Sequence, residues 1–335
     1  MAALKYLSSP LIVNWGLTAR CNFVCSHCFS RLDTSPELST AEVLEAAEKM
    51  AEAGVMFVNF GTGEPLLRKD LFEVASHCVS LGMKVTMNSN GSLIDEKVVE
   101  KIKEAGFHSV GISIDSADPE VHDRFRNHPG SFEKAVRAAK LLREGGVKLT
   151  ISSVICKINH LDFDRLIDLA RSLGASVLDF HNFKCTGMGG LNKEELDLTP
   201  SEWRDFYRRA LPLKDEVKDL ELLFDDPVIS LLRDDEGRVV DGSVCGKVSL
   251  YVGPDGTITP CGFIPVKVGH ILQDDLMDLW ENSPVLSMVR NKEASKKCAG
   301  CEKFSACLGG CTARAYAVSG NFNEPDPHCW YGEEE

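Results

Sequence analysis

Short apolar runs rich in β-branched residues recur along the first half of the chain. They lie at Leu11–Leu17, Val55–Phe60, Lys84–Asn88, Ser109–Ile114, Lys148–Ile155 and Ser176–Phe183. Between them, apolar residues return every three or four positions over Thr40–Ala53, Asp70–Leu81, Asp95–Ala105, Ser131–Glu144 and Leu161–Leu173. The first pattern predicts strands and the second amphipathic helices. Gly54, Gly82, Gly106, Gly145 and Gly174 close the helical stretches, where a left-handed terminus is inexpensive for glycine. Such alternation predicts an α/β fold on a parallel sheet. Six strands fall short of a closed eight-stranded barrel, which leaves a partial (β/α)6 TIM-like barrel or an open sheet.

The pattern changes after residue 191. Residues 192–240 are acidic and mainly helical in pattern, with Thr199-Pro200-Ser201-Glu202 as a helix start. They read as a bridge. From 241 to 335 the periodicity weakens and cysteines crowd in, as in a small module whose core is supplied by metal. The predicted divisions are therefore a barrel at 1–191, a helical bridge at 192–240 and a cysteine-rich domain at 241–335.

Composition narrows the chemistry. With 44% hydrophobic and 26% charged residues the chain is ordinary globular protein. A net charge of −13 disfavours a broad grip on nucleic acid or anionic lipid. No apolar stretch approaches the roughly 20 residues needed to span a bilayer, and Met1–Pro10 has neither the long apolar core nor the cleavage site of an export signal. The expected location is cytoplasmic, with no nucleic-acid and no membrane partner. In a reducing compartment thirteen cysteines, odd in number and clustered at two ends, point to metal rather than disulfides.

Cys21-Asn22-Phe23-Val24-Cys25-Ser26-His27-Cys28 follows the first predicted strand. Three thiolates spaced C-x3-C-x2-C can bind three irons of a 4Fe-4S cluster and leave the fourth iron open. The C-terminal end of a strand is where a barrel places its chemistry. Zinc is the competing reading, but it normally takes a fourth protein ligand. No fourth cysteine is local, and His27 would serve only by straining a tight turn. At the other end, Cys245 precedes Gly256-Thr257-Ile258-Thr259-Pro260-Cys261, and Cys298, Cys301, Cys307 and Cys311 follow as C-x2-C-x5-C-x3-C, with Cys329 beyond. Zinc ribbons also use paired C-x2-C ligands and stand as the alternative there.

On these residues the chain resembles the radical S-adenosylmethionine (SAM) superfamily, and its second cysteine field resembles the SPASM extension that carries auxiliary iron–sulfur clusters. The resemblance implies an oxygen-sensitive enzyme, a radical SAM oxidoreductase with a partial six-stranded barrel. SAM would chelate the open iron held by Cys21, Cys25 and Cys28, be cleaved reductively to a 5′-deoxyadenosyl radical, and so remove a substrate hydrogen. It further implies that Gly61, Gly63 and Glu64 of Gly61-Thr62-Gly63-Glu64-Pro65 hold the SAM amino group. Ser89 and Asn90 of Asn88-Ser89-Asn90-Gly91 match the next segment in order, with Ser89 in place of threonine. Ser113 and Asp115 of Ser113-Ile114-Asp115-Ser116 would face the ribose, and His27 would offer its backbone to adenine. Of two auxiliary clusters, Cys298, Cys301, Cys307 and Cys329 would form a complete four-thiolate set. Cys245, Cys261 and Cys311 would hold the other, one ligand short. Such clusters can accept the electron released when a substrate radical becomes product. An electron donor such as ferredoxin or flavodoxin is expected to supply the first one.

The remaining candidates are local. Cys78 and Cys156 lie in apolar patterns and read as small core residues. Cys185, in Phe180–Gly190 after the sixth strand, is the candidate catalytic residue. Its open roles are missing ligand, hydrogen-atom donor or loop residue without chemistry. His181 and Lys184 either bind substrate or are solvated. Asp123, Arg124 and Arg126 read first as helix-surface or ion-pair residues. No hydrolase triad or phosphate-binding P-loop is visible.

Two substrate classes and one non-enzymatic reading follow. The first is oxidative modification or cross-linking of a peptide or protein, the commonest activity that the SPASM resemblance implies. The chain enters its first strand almost at once, without a preceding peptide-recognition domain, so a separate recognition protein would serve that reading. The second is a small cofactor precursor, a tetrapyrrole side chain or a molybdopterin- or tungstopterin-type molecule. Thr186-Gly187-Met188-Gly189 is loosely similar to a glycine-rich loop of tetrapyrrole-modifying relatives, with Met188 where arginine is expected. The third is a non-catalytic iron–sulfur scaffold or electron carrier.

Overall fold

The computed structural model describes residues 4–233 and 239–332. Six β/α units run from β1 (Ile12–Trp15) through α1 (Thr40–Glu52), β2 (Phe57–Phe60), α2 (Leu71–Ser80), β3 (Lys84–Ser89), α3 (Glu96–Glu104) and β4 (Ser109–Ser113). They continue with α4 (Pro119–Arg126), α5 (Ser131–Glu144), β5 (Leu149–Ile155), α6 (Phe163–Ser172) and β6 (Val177–Asn182). Neighbouring strands pair in parallel, Ile12 opposite Phe57 and Val177 opposite Thr150. This is the six-stranded α/β unit expected from the alternation.

Local chemistry sets the boundaries. Ser39 and Glu42 form a reciprocal capping box at the start of α1, and Thr199 and Glu202 do the same for the helix that begins at Pro200, as the Thr199–Glu202 motif predicts. Gly54, Gly82, Gly106 and Gly174 take positive φ. After α5 the left-handed residue is Gly146, at φ +74°, while Gly145 stays right-handed at φ −74°.

The rest of the chain lengthens the sheet at both edges. After α7 (Met188–Leu191), α8 (Lys193–Leu196) and α9 (Pro200–Glu216) comes β7 (Glu221–Phe224), parallel to β6. The bridge, read as mainly helical, thus contributes a strand. The cysteine-rich region adds β8 (Ser249–Val252), β9 (Thr257–Thr259) and β10 (Gly269–His270), then α10 (Leu276–Asn282), α11 (Pro284–Arg290), α12 (Phe304–Cys307) and α13 (Thr312–Ser319). β8 lies parallel to β1, with Ile12 opposite Ser249. One open sheet results, ordered β10-β9-β8-β1-β2-β3-β4-β5-β6-β7.

The two faces of this sheet differ. Val13, Trp15, Val58, Phe60, Val85 and Met87 are at most 1% exposed in the main core. Their strand neighbours carry polar groups: Asn59 Nδ2 donates to Asn14 Oδ1 at 3.3 Å and Thr86 Oγ1 to Asn59 Oδ1 at 3.0 Å. Asn14 is exposed although β1 is a central strand, so this second face borders accessible space. Trp203 of α9, Trp280 of α10 and Trp330 join the main core, and a smaller apolar cluster surrounds Cys311.

Candidate functional site

The loop bearing Cys21, Cys25 and Cys28 leaves the C-terminal end of β1 and is clamped by the segment after β2. The Glu64 N–H donates to the Arg20 carbonyl at 2.8 Å. Gly63 has φ +63°, and a Cβ there would stand 2.5 Å from the carbonyl oxygens of Thr18 and Arg20. Only glycine permits this approach. Gly61 is exposed.

Glu64 is 0% exposed. It accepts hydrogen bonds from Ser89 Oγ at 2.9 Å, Asn90 N–H at 2.9 Å and Leu66 N–H at 3.3 Å. Burial raises its pKa to about 7 against those bonds, and it has no ion-pair partner among the described residues. A carboxylate so placed fits a visiting ammonium. Asn90 Nδ2 donates to Asn22 Oδ1 at 2.9 Å and lies 4.0 Å from Cys21 Sγ, tying this segment to the thiol loop. The expected contacts after β2 and β3 therefore meet at one place.

The segment after β4 is arranged differently. Ser113 is half-buried at the strand end, opposite Ser152. Asp115, expected beside a ribose, is 1% exposed, and its carboxylate accepts from Arg126 Nε at 2.6 Å and Val154 N–H at 2.9 Å. Those partners occupy it, so it supports the thiol loop from behind. Arg126 Nη1 lies 3.9 Å from Cys25 Sγ. Arg126, read first as a helix-surface or ion-pair residue, is an ion-pair residue, buried against Asp115 and beside the thiols. The spacing within α4 gives no sign of this, because it depends on where the thiol loop folds. Asp123 accepts from Gly130 N–H, Ser131 Oγ and Phe132 N–H, ordering the start of α5.

The His27 ring stacks on Phe125 at 4.3 Å, and its buried Nδ1 has no partner among the described residues. Burial lowers its pKa to about 3, so the ring is neutral. Behind this loop, Met188 N–H donates to the Cys28 carbonyl at 2.9 Å and Asn192 Nδ2 to the Ser26 carbonyl at 2.8 Å. A Cβ at Gly187 would run into the carbonyl oxygens of Cys28 and Phe29. The glycines after β6 thus have a packing reason independent of substrate.

The C-terminal cysteines gather in two groups. Cys245 and Cys261 are hydrogen-bond neighbours, and Cys311 lies within electrostatic reach of both. Cys298, Cys301, Cys307 and Cys329 line one small cavity. Phe29, one residue after Cys28, packs on Phe263 at 4.6 Å and Tyr251 at 6.3 Å. The Tyr251 hydroxyl is 3.1 Å from Thr62 Oγ1. Aromatic side chains therefore join the first thiol loop to the Cys261 loop. Lys184 lies with its Nζ 5.3 Å from the Phe263 ring centre and is a charged neighbour of Cys261 and Cys311.

Cys185 is placed apart from that group. Its thiol donates to Asp197 Oδ2 at 3.0 Å, and Asp197 Oδ1 is 2.8 Å from His328 Nε2. Burial first, then the Asp197 carboxylate, push the thiol well above its usual range. Sequence reading did not pair Asp197 with His328, which lie far apart along the chain. Cys78 and Cys156 are 0% exposed core residues, as expected. His181 lies 3.4 Å from Asp179 on β6.

The donor sets suit iron–sulfur clusters. Cys21, Cys25 and Cys28 act on one another electrostatically, and burial raises the Cys25 thiol to about 11, so metal is what would hold it as thiolate. All three groups offer sulfur alone, the donor of such clusters. Among the described residues no three His, Cys, Asp or Glu side chains are arranged to hold a single metal ion. No described helix is long and apolar enough to cross a membrane.

Comparison with known proteins agrees with this geometry. The radical SAM superfamily profile matches residues 15–197, and that of an iron–sulfur cluster-binding domain, SPASM, matches residues 245–302. The chain is 30% identical to an AdoMet-dependent heme synthase of Methanosarcina barkeri, over 97% of each protein. It is 29% identical to the mycofactocin maturase MftC of Mycolicibacterium smegmatis, over 97% of this chain and 84% of that one. The fold matches SuiB of Streptococcus suis bound to S-adenosylmethionine with a TM-score of 0.82 at 19% identity, covering 97% of this chain and 78% of SuiB. The protein is an enzyme that uses a SAM-binding 4Fe-4S cluster and auxiliary clusters, and it belongs to the radical SAM superfamily.

Proposed function

We propose that the chain removes two electrons from a bound substrate, one with a hydrogen atom at the first thiol loop and one through the C-terminal thiols. Cys21, Cys25 and Cys28 would hold the SAM-binding cluster. Cys298, Cys301, Cys307 and Cys329 would hold the complete auxiliary cluster, and Cys245, Cys261 and Cys311 the one short of a ligand. When bound, SAM and its cluster supply a one-electron cleavage whose 5′-deoxyadenosyl radical takes the substrate hydrogen. The chain's own residues orient and shield. Glu64, held by Ser89 and Asn90, meets the SAM ammonium. Gly61 and Gly63 let the backbone close on it, Ser113 faces the ribose, and the backbone at His27 meets the adenine. Arg126 braces Cys25.

The observation that carries this reading is the contact of Phe29 with Phe263 and Tyr251, which joins the two thiol fields. The substrate class best supported is a tetrapyrrole side chain, because the match to the Methanosarcina heme synthase runs over nearly all of both proteins. A peptide is the second reading, favoured by the maturase relative and by the likeness to SuiB. A separate recognition protein would serve that case. A reducing cytoplasm, with ferredoxin or flavodoxin as donor, suits the thiolate clusters of either reading.

The test is anaerobic reconstitution, reduction and addition of SAM, with an iron porphyrin bearing propionate side chains or with candidate peptides. The expected outcome is 5′-deoxyadenosine whose formation rises with the porphyrin, together with a mass change in that porphyrin. Stimulation by a peptide alone selects the second reading. Absence of 5′-deoxyadenosine above background, with every cluster loaded, leaves only the non-catalytic scaffold.

A further inference from the structure

Lys292, two residues beyond α11, carries a buried ammonium with no hydrogen-bond partner among the described residues. Other lysines around it are satisfied: Lys297 Nζ donates to the Cys329 carbonyl at 2.7 Å and Lys247 Nζ to the Asp241 carbonyl at 2.8 Å. The place of Lys292 is fixed by Gly309. A Cβ on that glycine would lie 3.5 Å from Lys292 Nζ and 3.8 Å from Cys298 Sγ, so ammonium and thiol flank the same backbone turn. Asp326, Cys311 and Cys307 also lie within its electrostatic reach.

Asp326 does not answer that charge alone. Its carboxylate already accepts from Arg314 Nε at 2.8 Å, Arg314 Nη2 at 2.5 Å, Cys311 N–H at 2.6 Å and His328 N–H at 3.0 Å. Otherwise its neighbours are sulfur, drawn from both auxiliary groups, and Lys247, whose ammonium is held by the Asp241 carbonyl. A buried unpaired ammonium is costly in any fold, and thiol groups in their neutral form do nothing to offset it. Thiolate clusters carry net negative charge and do.

We propose that Lys292 is the fixed counter-charge of the auxiliary clusters and raises the reduction potential of the cluster at Cys298, Cys301, Cys307 and Cys329. This rests on the ligand assignment proposed above. Reduction adds one electron, and so one negative charge, to that cluster. A cation held beside Cys298 stabilises the reduced form more than the oxidised one, and no proton needs to move. On that assignment an electron leaving the substrate radical would be held more favourably beside Lys292 than in the absence of the cation.

The test is a redox titration followed by electron paramagnetic resonance on the anaerobically reconstituted full chain. Wild type, Lys292→Arg and Lys292→Gln are compared at equal iron and sulfide content. The expected result for Lys292→Gln is a tenfold or greater loss in the equilibrium for reducing one auxiliary cluster, about 59 mV for one electron. Lys292→Arg keeps the wild-type value, and the signal that responds to SAM does not move. Equal potentials in all three proteins, or a shift shared by every cluster, would falsify the proposal. Should Lys292→Gln fail to load, the cluster-free protein gives a second readout. Removing an unpaired buried charge with Lys292→Met raises its Tm, and a lowered Tm overturns the idea. A Cys298→Ala protein that keeps all its iron and its auxiliary signals overturns the ligand assignment itself.

Discussion

At the scale of single residues, Glu64 shows how function opposes stability. Its pKa rises from 4.5 to about 7 on folding because burial disfavours the charge. Between those values the native state keeps a proton that the unfolded chain has lost, so stability falls as pH rises through the window. The whole effect is on the order of 3 kcal/mol for the ligand-free protein. Glu64→Gln is therefore expected to raise Tm at pH 8, to give almost no gain at pH 4, and to weaken SAM binding more than tenfold. Thermal unfolding at both pH values and equilibrium dialysis of SAM measure this, and equal Tm differences at the two pH values would refute it. Much of this site was legible in the sequence, because Cys21, Gly63, Glu64, Ser89 and Asn90 lie at or beyond strand ends in order. Arg126 and Asp115 were not. Which helix terminus reaches Cys25 is a tertiary fact, and a carboxylate near a strand end looks the same whether it faces ligand or guanidinium.

At the scale of elements, strands that alternate with helical segments were readable and isolated ones were not. The five helical stretches and six strands of the first half follow from their spacing. β7 and β8 are four residues each. They are no shorter than β1 and β2, but Glu221-Leu222-Leu223-Phe224 has no clear alternation and Ser249–Val252 sits among cysteines outside the repeating strand–helix pattern. Their consequence is that β1 is flanked on both sides, by β2 and β8. A chain ended after Val240 would leave the β1 edge unpaired, an invitation to association. The expected outcome is a protein that sediments as aggregates while the full chain does not. A monomeric, cooperatively unfolding fragment in analytical ultracentrifugation and denaturant titration would show that β8 is dispensable.

At the scale of the molecule, one arginine joins regions that sequence reading kept separate. Arg314 of α13 is 1% exposed and pairs with Asp226, just after β7, and with Asp326, beside the last cysteines. Tyr207 of α9 donates to the same Asp226 at 2.7 Å. Removing the cation leaves two buried carboxylates unanswered, so Arg314→Met is expected to lose about 3–5 kcal/mol. Adding Asp226→Asn and Asp326→Asn should restore part of that loss. Urea unfolding of the three proteins decides, and an Arg314→Met protein as stable as wild type would remove the network from the account. The pairing of β1 with β8 also has a bearing on biosynthesis. Translation delivers the radical-forming loop early and its aromatic cover, Tyr251 and Phe263, near the end. On the ribosome the residues that brace the thiols, Asn90, Arg126 and Asn192, are therefore made before the aromatic contact through Phe29, and the two thiol fields meet only late in synthesis.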